Sequence, residues 1–243
     1  MNLTIDIGNT RTKTCLINDQ GIKLKKAWSS FGVGELEKLL KKHKNIQRII
    51  LCSVTLVSKP LLKRVQKEKD ALILSHKTKV PIRNKYQSPK TLGNDRLAAV
   101  IGAKTLYPKE ACLVIDTGTC IKYDFISARS YYYGGTISPG IQMRLQAMHD
   151  QTAKLPLLKR NEFTALYGKN TKESMLTGAQ TAAIFEMQGF IAAYAKKYSH
   201  LKVILTGGDA DFFAKRLKSK IFVHPDLIPI GLNKILSYNV LKN

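Results

Sequence analysis

Two stretches of the chain share one pattern of apolar and polar positions. "LTIDIGNTRTKTCLI" (3–17) and "LVIDTGTCIKYDFI" (113–126) each start as an apolar run and reach an Asp at its end. Each then turns through Gly with hydroxyl or amide neighbours and continues as a strand of period-two alternation. The repeat sets Asp6 against Asp116, about one domain apart, so the sequence reads as two similar halves, 1–107 and 108–243.

The remaining pattern fills in those halves. An amphipathic helix is expected at about 34–44, a buried strand at 48–54, a helix over 59–69 and a strand at 71–76. "GNDRLAAVIGAKTLY" (93–107) reads as a helix with Ala and Leu on one face and Asn94-Asp95 at its start. "YYYGGTISPGIQM" (131–143), rich in glycine, reads as a loop from strand to helix, its tyrosines serving packing. A long helical stretch at 174–198 feeds a strand, a Gly-Gly turn and a helix over 202–217. Strands alternating with helices imply an α/β fold with mixed sheets, and no low-complexity linker separates the halves.

With 44% hydrophobic and 23% charged residues, the chain has the balance of a globular protein. It holds no apolar run long enough to span a membrane, and its N-terminus lacks the basic start and apolar core of a signal peptide. A cytoplasmic protein is the expectation. Cys15, Cys52, Cys112 and Cys120 form no C-x-x-C pair and suit reduced core thiols. The five histidines share no metal spacing, and no Ser-His-acid grouping is visible. Forty Lys and Arg against 17 Asp and Glu give a net charge of +23, a field that attracts anions. The lysines are scattered without aromatic interleaving, so a basic surface is expected rather than a nucleic-acid site.

The turns carry the chemistry. An Asp at a strand end beside a Gly turn puts a carboxylate at the carboxyl edge of a sheet, where α/β proteins bind ligands. In "DIGNT" the backbone amides with Asn9 and Thr10 can donate to phosphate oxygens, and Arg11 or Lys13 adds charge. Asp6 and a phosphate repel, so the natural use of Asp6 is to hold Mg²⁺ or its water shell. Thr117 and Thr119 supply hydroxyls to the second turn, and "LTGGDA" (205–210) is a third glycine turn at a strand end. Together the three imply an ATP cleft between two lobes. In "LGNDRLAAV" (92–100), Asp95 is either a first-turn residue of its helix or a proton acceptor beside the anion-binding Arg96. The second use suits a substrate bearing a hydroxyl and a carboxylate.

These motifs, "DIGNTRTK" (6–13), "GNDR" (93–96), "DTGT" (116–119), "GGTISPG" (134–140), "TAKLP" (152–156), "KNT" (169–171), "LTGGDA" (205–210) and "HPDLIPIGLNKIL" (224–236), resemble the type III pantothenate kinases in order and spacing across essentially the whole chain. The resemblance implies a duplicated ribonuclease-H-like (actin-like ATPase) fold, with two mixed-sheet lobes and a cleft between them. It also implies ATP-dependent phosphorylation of pantothenate, the first step towards coenzyme A.

By motif, Asp6, Ile7, Gly8, Asn9, Thr10, Arg11, Thr12 and Lys13 would bind the ATP phosphates, with Asp6 near Mg²⁺, and Thr119 would contact ATP. Asp95 would be the general base. Gly93, Asn94 and Arg96 would line the pantothenate pocket, which Tyr86 would close. Asp116 would hold a monovalent cation, potassium or ammonium. Thr171 would reach substrate from the neighbouring subunit of a homodimer. Asn94, Cys120 and Lys122 depart from the family pattern, and the charge of +23 is not explained by it. Two other readings remain: a non-catalytic relative like the Bvg accessory factor proteins, possible binders of nucleic acid, and a superfamily kinase acting on a sugar or acetate.

Overall fold

The computed structural model describes residues 1–68 and 70–240, and the chain divides into two units. The first comprises residues 1–108, 130–133 and 226–243, and the second residues 109–129 and 134–225.

In the first unit β1 (Asn2–Ile7), β2 (Thr12–Asn18) and β3 (Gly21–Trp28) form an antiparallel meander. Helix α1 (Val33–Lys42) then leads to β4 (Arg48–Ser53), and α2 (Lys59–Gln66) to β5 (Asp70–Ile73). β4 lies parallel to β1 and β5 parallel to β4, giving the order β3-β2-β1-β4-β5. Leu3, Ile5, Leu16, Ile49 and Leu51 form a core with Leu36 and Leu39 of α1 and Leu61 and Val65 of α2. β3 has no counterpart in the sequence reading. Its Lys23, Lys25 and Lys26 dilute the apolar signal because they guard an edge, where charge discourages pairing with another chain. A two-residue strand, β6 (Arg83–Asn84), precedes α3 (Asn94–Leu106).

In the second unit β7 (Cys112–Thr117) and β8 (Cys120–Ile126) form the second hairpin, and β9 (Tyr131–Pro139) follows, its residues from Gly134 onward belonging to this unit. The expected loop at 131–143 is therefore wrong over most of its length. Gly and Pro suggested a breaker, but Tyr132 and Gly134 point inward while Tyr133 and Gly135 point out, the two-residue period of a strand. Its first two residues also pair with β6. Helix α4 (Ile141–Asp150) and α5 (Thr171–Leu176) follow. A π-helical turn, Thr177–Thr181, joins α5 to α6 (Ala182–Lys197). β10 (Lys202–Thr206), α7 (Ala210–Ala214) and β11 (Ile221–Val223) complete the unit. The order β9-β8-β7-β10-β11, with β7, β10 and β11 parallel, repeats that of the first unit strand for strand. The duplication seen in the two hairpins thus extends to whole sheets.

The chain then returns to the first unit as α8 (Leu227–Val240). A cut at 107/108 in the sequence leaves this helix with the second half, whereas it packs on α3. The two helices touch through backbone: a Cβ on Gly231 would lie 1.8 Å from the Ala98 carbonyl oxygen, and one on Gly102 2.1 Å from that of Leu227. With α8 in place, every residue of α3 from Arg96 to Lys104 is buried, so the helix has no exposed face and the one-sided pattern read from the sequence does not hold. No helix among the described residues is long and apolar enough to cross a membrane.

One partly buried polar cluster ties α4 and α6 to the second sheet. Glu186 accepts from Tyr123 Oη (2.9 Å) and Ser138 Oγ (3.0 Å) and pairs with Arg144. Burial alone would raise the Glu186 carboxyl, but its bonds from Arg144, Tyr123 and Ser138 outweigh that and hold it below the ordinary value. A depressed folded-state value stabilises above the unfolded value and stops doing so as pH falls through the folded one. The stability gap between the wild type and Glu186→Gln is therefore expected to narrow from about pH 6 to about pH 3, as read by urea unfolding. In the first unit, Gly231→Ala is expected to lose about 2–3 kcal/mol in the same assay, because neither backbone can yield.

Candidate functional site

The first turn follows β1 directly. The Gly8 N–H donates to the Arg11 carbonyl (3.1 Å), closing a turn that leaves Asn9, Thr10 and Arg11 exposed. Thr12 is buried at the start of β2, whereas Lys13 is exposed. The hairpin register sets Lys13 opposite Asp6. A carboxylate with hydroxyl and amide oxygens nearby is a hard-oxygen set of the kind that fits Mg²⁺, which binds through one or two carboxylates together with substrate phosphates.

At the start of α3 the structure brings together the residues expected to meet substrate. Asp95 lies in the first turn, and its Oδ1 accepts from the Arg96 N–H (2.8 Å). That carboxylate folds over Gly93, where a Cβ would come within 2.6 Å of it. Arg96 is 5% exposed, and its guanidinium sits 5.6 Å from the Tyr86 ring centroid. Tyr86 in turn stacks on Tyr132 at 6.3 Å, with planes 16° apart. Asn94 donates to the Leu74 carbonyl (3.1 Å) and lines a cavity of about 450 Å³ with His76, Lys79, Asn84, Leu97 and Tyr238. Tyr86, Asp95 and Arg96 stand outside its wall. The N-terminus of α3 thus carries a carboxylate and a nearly buried guanidinium one residue apart, and Tyr86 holds the guanidinium in place.

In the second unit the turns after β7 and β10 interlock. Thr117 Oγ1 donates to the Thr206 carbonyl (2.8 Å), and the Asp209 N–H donates to the Thr117 carbonyl (3.0 Å). Gly207 adopts φ +99°, a conformation open to glycine, and a Cβ there would lie 2.6 Å from Asp116 Oδ1. Thr119 is exposed at the hairpin tip. Burial raises the Asp209 carboxyl, and Arg160, with its Nε 3.1 Å from Asp209 Oδ1, opposes that shift. Thr171 is the exposed first residue of α5, next to the cap Asn170.

Asp116 has a cationic neighbour of its own. Its Oδ2 is 2.6 Å from Lys122 Nζ, and the two side chains are 13% and 15% exposed. The carboxylate assigned to a monovalent cation already faces a built-in ammonium. A second monocation about 4 Å from that ammonium would meet a repulsion of about 4 kcal/mol at an effective dielectric of 20, which cancels most of its attraction to the carboxylate and leaves little to offset its loss of hydration. The residues present therefore do not fit a potassium site at Asp116. The sequence held the signal: a tight hairpin through 117–120 fixes Lys122 opposite Asp116, as the register records. Burial pushes the Cys15 thiol up to about 11, and all four cysteines are unbridged.

A doubled β-sheet unit with glycine turns at the ends of β1, β7 and β10 defines the class of actin-like and sugar-kinase folds. Solved structures agree at the level of fold. A conserved candidate Baf family transcriptional activator from Campylobacter jejuni aligns with TM-score 0.61 at 24% identity, covering 98% of this chain and 99% of that one. A candidate 2-dehydro-3-deoxygalactonokinase from Sinorhizobium meliloti aligns with TM-score 0.60 at 12% identity over 98% and 99%. The family model of type III pantothenate kinase matches residues 2–193. The type III pantothenate kinase of Phocaeicola vulgatus is 41% identical over 240 residues, 98% of this chain and 99% of that protein. The chain belongs to the type III pantothenate kinase family.

Gly207→Ala is expected to cost about 1–3 kcal/mol by forcing both an unfavourable φ and a clash with Asp116, measured as a lowered melting temperature. An unchanged melt would mean that the turn tolerates a side chain.

Proposed function

We propose that Asp95 is the general base of an ATP-dependent pantothenate kinase, the activity that family membership gives this protein and the entry step of coenzyme A synthesis. The observation that carries the assignment is the Asp95 carboxylate in the first turn of α3, one residue from the buried Arg96 guanidinium that Tyr86 supports. Arg96 holds the pantothenate carboxylate, Gly93, Asn94 and Tyr86 shape the pocket, and Asp95 faces the primary hydroxyl.

The hydroxyl oxygen attacks the γ-phosphorus of ATP, the bond from that phosphorus to the bridging oxygen breaks, and ADP leaves. The hydroxyl proton passes to Asp95, late in a loose transition state. Most of the acceleration comes from position and charge. In the first unit the amides and side chains from Ile7 to Lys13 would hold phosphate oxygens, and Asp6 would hold Mg²⁺, which would supply neutralisation of phosphate charge. In the second unit Thr119 and the Gly207–Gly208 turn contact the nucleotide. The intact Asp6, Asp95 and Arg96 disfavour a non-catalytic role.

Two further readings rest on the family resemblance. The enzyme acts in the cytoplasm, and it is a homodimer in which Thr171 reaches the neighbouring subunit's substrate. Exposed Leu157, Leu166, Tyr167 and Phe185 give the second unit apolar surface that such an assembly would cover, and light scattering of the purified protein tests it.

ADP release by purified protein with Mg·ATP, with and without pantothenate, tests the reaction. Asp95→Asn is expected to keep under roughly 1% of turnover, by analogy with general-base losses, while calorimetry still finds ATP bound. Near-normal turnover in that variant would remove Asp95 from the mechanism. Absence of pantothenate-dependent ADP from folded wild type, with salt-sensitive binding to random-sequence DNA, would point to the non-catalytic relative.

A further inference from the structure

We infer that the Lys122 ammonium takes the place of the monovalent cation expected at Asp116, so that this protein binds ATP and turns over without potassium or ammonium. The inference rests on the kinase reading, and it starts from a disagreement between that reading and the side chains present. β7 carries Asp116 out of the core at its last turn-facing position, and the antiparallel register of β7 with β8 places Lys122 directly across from it. The two side chains meet at 2.6 Å with little exposure to water. Asp116 is also confined on its other oxygen: Oδ1 lies against Gly207, which has no room there for even a Cβ. One carboxylate oxygen thus faces the ammonium, and the other packs against the backbone of the third glycine turn.

A lysine ammonium and a potassium ion are both compact monocations. The difference is that the lysine is tethered by its own strand, so its position costs no association entropy and its charge does not depend on salt composition. A free cation near Asp116 must be drawn from solution, and here it would face the ammonium already seated. The register of the first unit likewise sets Lys13 opposite Asp6, but there the lysine is exposed, in contrast to the largely buried Lys122. Lys122 is therefore a positioning residue: it compensates Asp116 and holds that carboxylate against the turn at Gly207, and through that turn it fixes the nucleotide side of the second unit.

The experiment compares potassium chloride with tetramethylammonium chloride at equal ionic strength, using the full chain. ATP affinity is read by calorimetry, and pantothenate-dependent ADP release is read in parallel. Wild type is expected to show the same ATP affinity in both salts within about twofold. Lys122→Met is expected to lose at least roughly tenfold in affinity in tetramethylammonium and to regain it on adding potassium or ammonium ions. Rescue by a small cation is an outcome that a purely structural lysine would not give. A wild-type affinity that rises more than about fivefold with potassium would overturn the inference, as would Lys122→Met matching wild type in tetramethylammonium. If Lys122→Met does not fold, the wild-type comparison alone decides. Loss of pantothenate-dependent turnover in every salt would count against the kinase reading, whereas a potassium-dependent ATP affinity counts against Lys122.

Discussion

Each unit is organised around an aspartate that leaves the core at the end of a central buried strand and lies opposite a lysine across a tight hairpin. The register does this twice, Asp6 with Lys13 and Asp116 with Lys122. A strand buried on both faces can end in a carboxylate only if that charge finds water, a cation or a donor within a residue or two. The hairpin meets the requirement by geometry, since side chains opposite one another on an antiparallel pair share a face. The glycine turn follows because the chain must reverse at once to bring the second strand into that register. An exposed glycine turn in the first unit and a compensated carboxylate in the second are consequences of one constraint.

Asp95 and the Arg96 guanidinium depend on a different support. α3 is buried along its length because α8 lies across it with backbone nearly touching backbone at Gly102 and Gly231. A helix held on all sides cannot roll, so the first turn that carries Asp95 and Arg96 is fixed in direction. Asn94 is bonded to the chain at Leu74, and Arg96 rests against Tyr86, which rests on Tyr132. Placing the carboxylate proposed as the base on the start of a clamped helix gives precision that a loop would not, and precise placement is where most of a phosphoryl-transfer enzyme's advantage lies.

The surface charge belongs to a separate level of the design. Basic residues crowd the edge strand β3 and the last turns of α1 and α2, where they protect an edge or favour a helix C-terminus. These placements account for a part of the +23 by local needs of the fold. The acidic residues, fewer in number, are drawn into specific pairs such as Glu186 with Arg144 and Asp209 with Arg160.

Much of this was legible along the chain. The two Asp-Gly hairpins, the buried strands at 48–53 and 202–206 and the helix carrying "GNDR" follow from local periodicity and turn chemistry, because those depend on neighbours a few residues away. Even the Asp116–Lys122 pair was implicit in the length of its hairpin. Other features were not local. β9 looked like a loop because Gly and Pro weaken strand propensity, and its pairing partners lie far off in sequence. β3 looked like nothing because an edge strand has no apolar face to reveal it. The helix α8 joins the first unit because of a close backbone approach to α3, more than a hundred residues earlier, which no pattern within either helix announces. Sequence by itself determined the turns and the residue types that stand at them, since bonded geometry and alternation fix them. Only the tertiary structure decided which strands flank one another, which helix is clamped and which cation answers Asp116, because those are set by packing between segments remote in the chain.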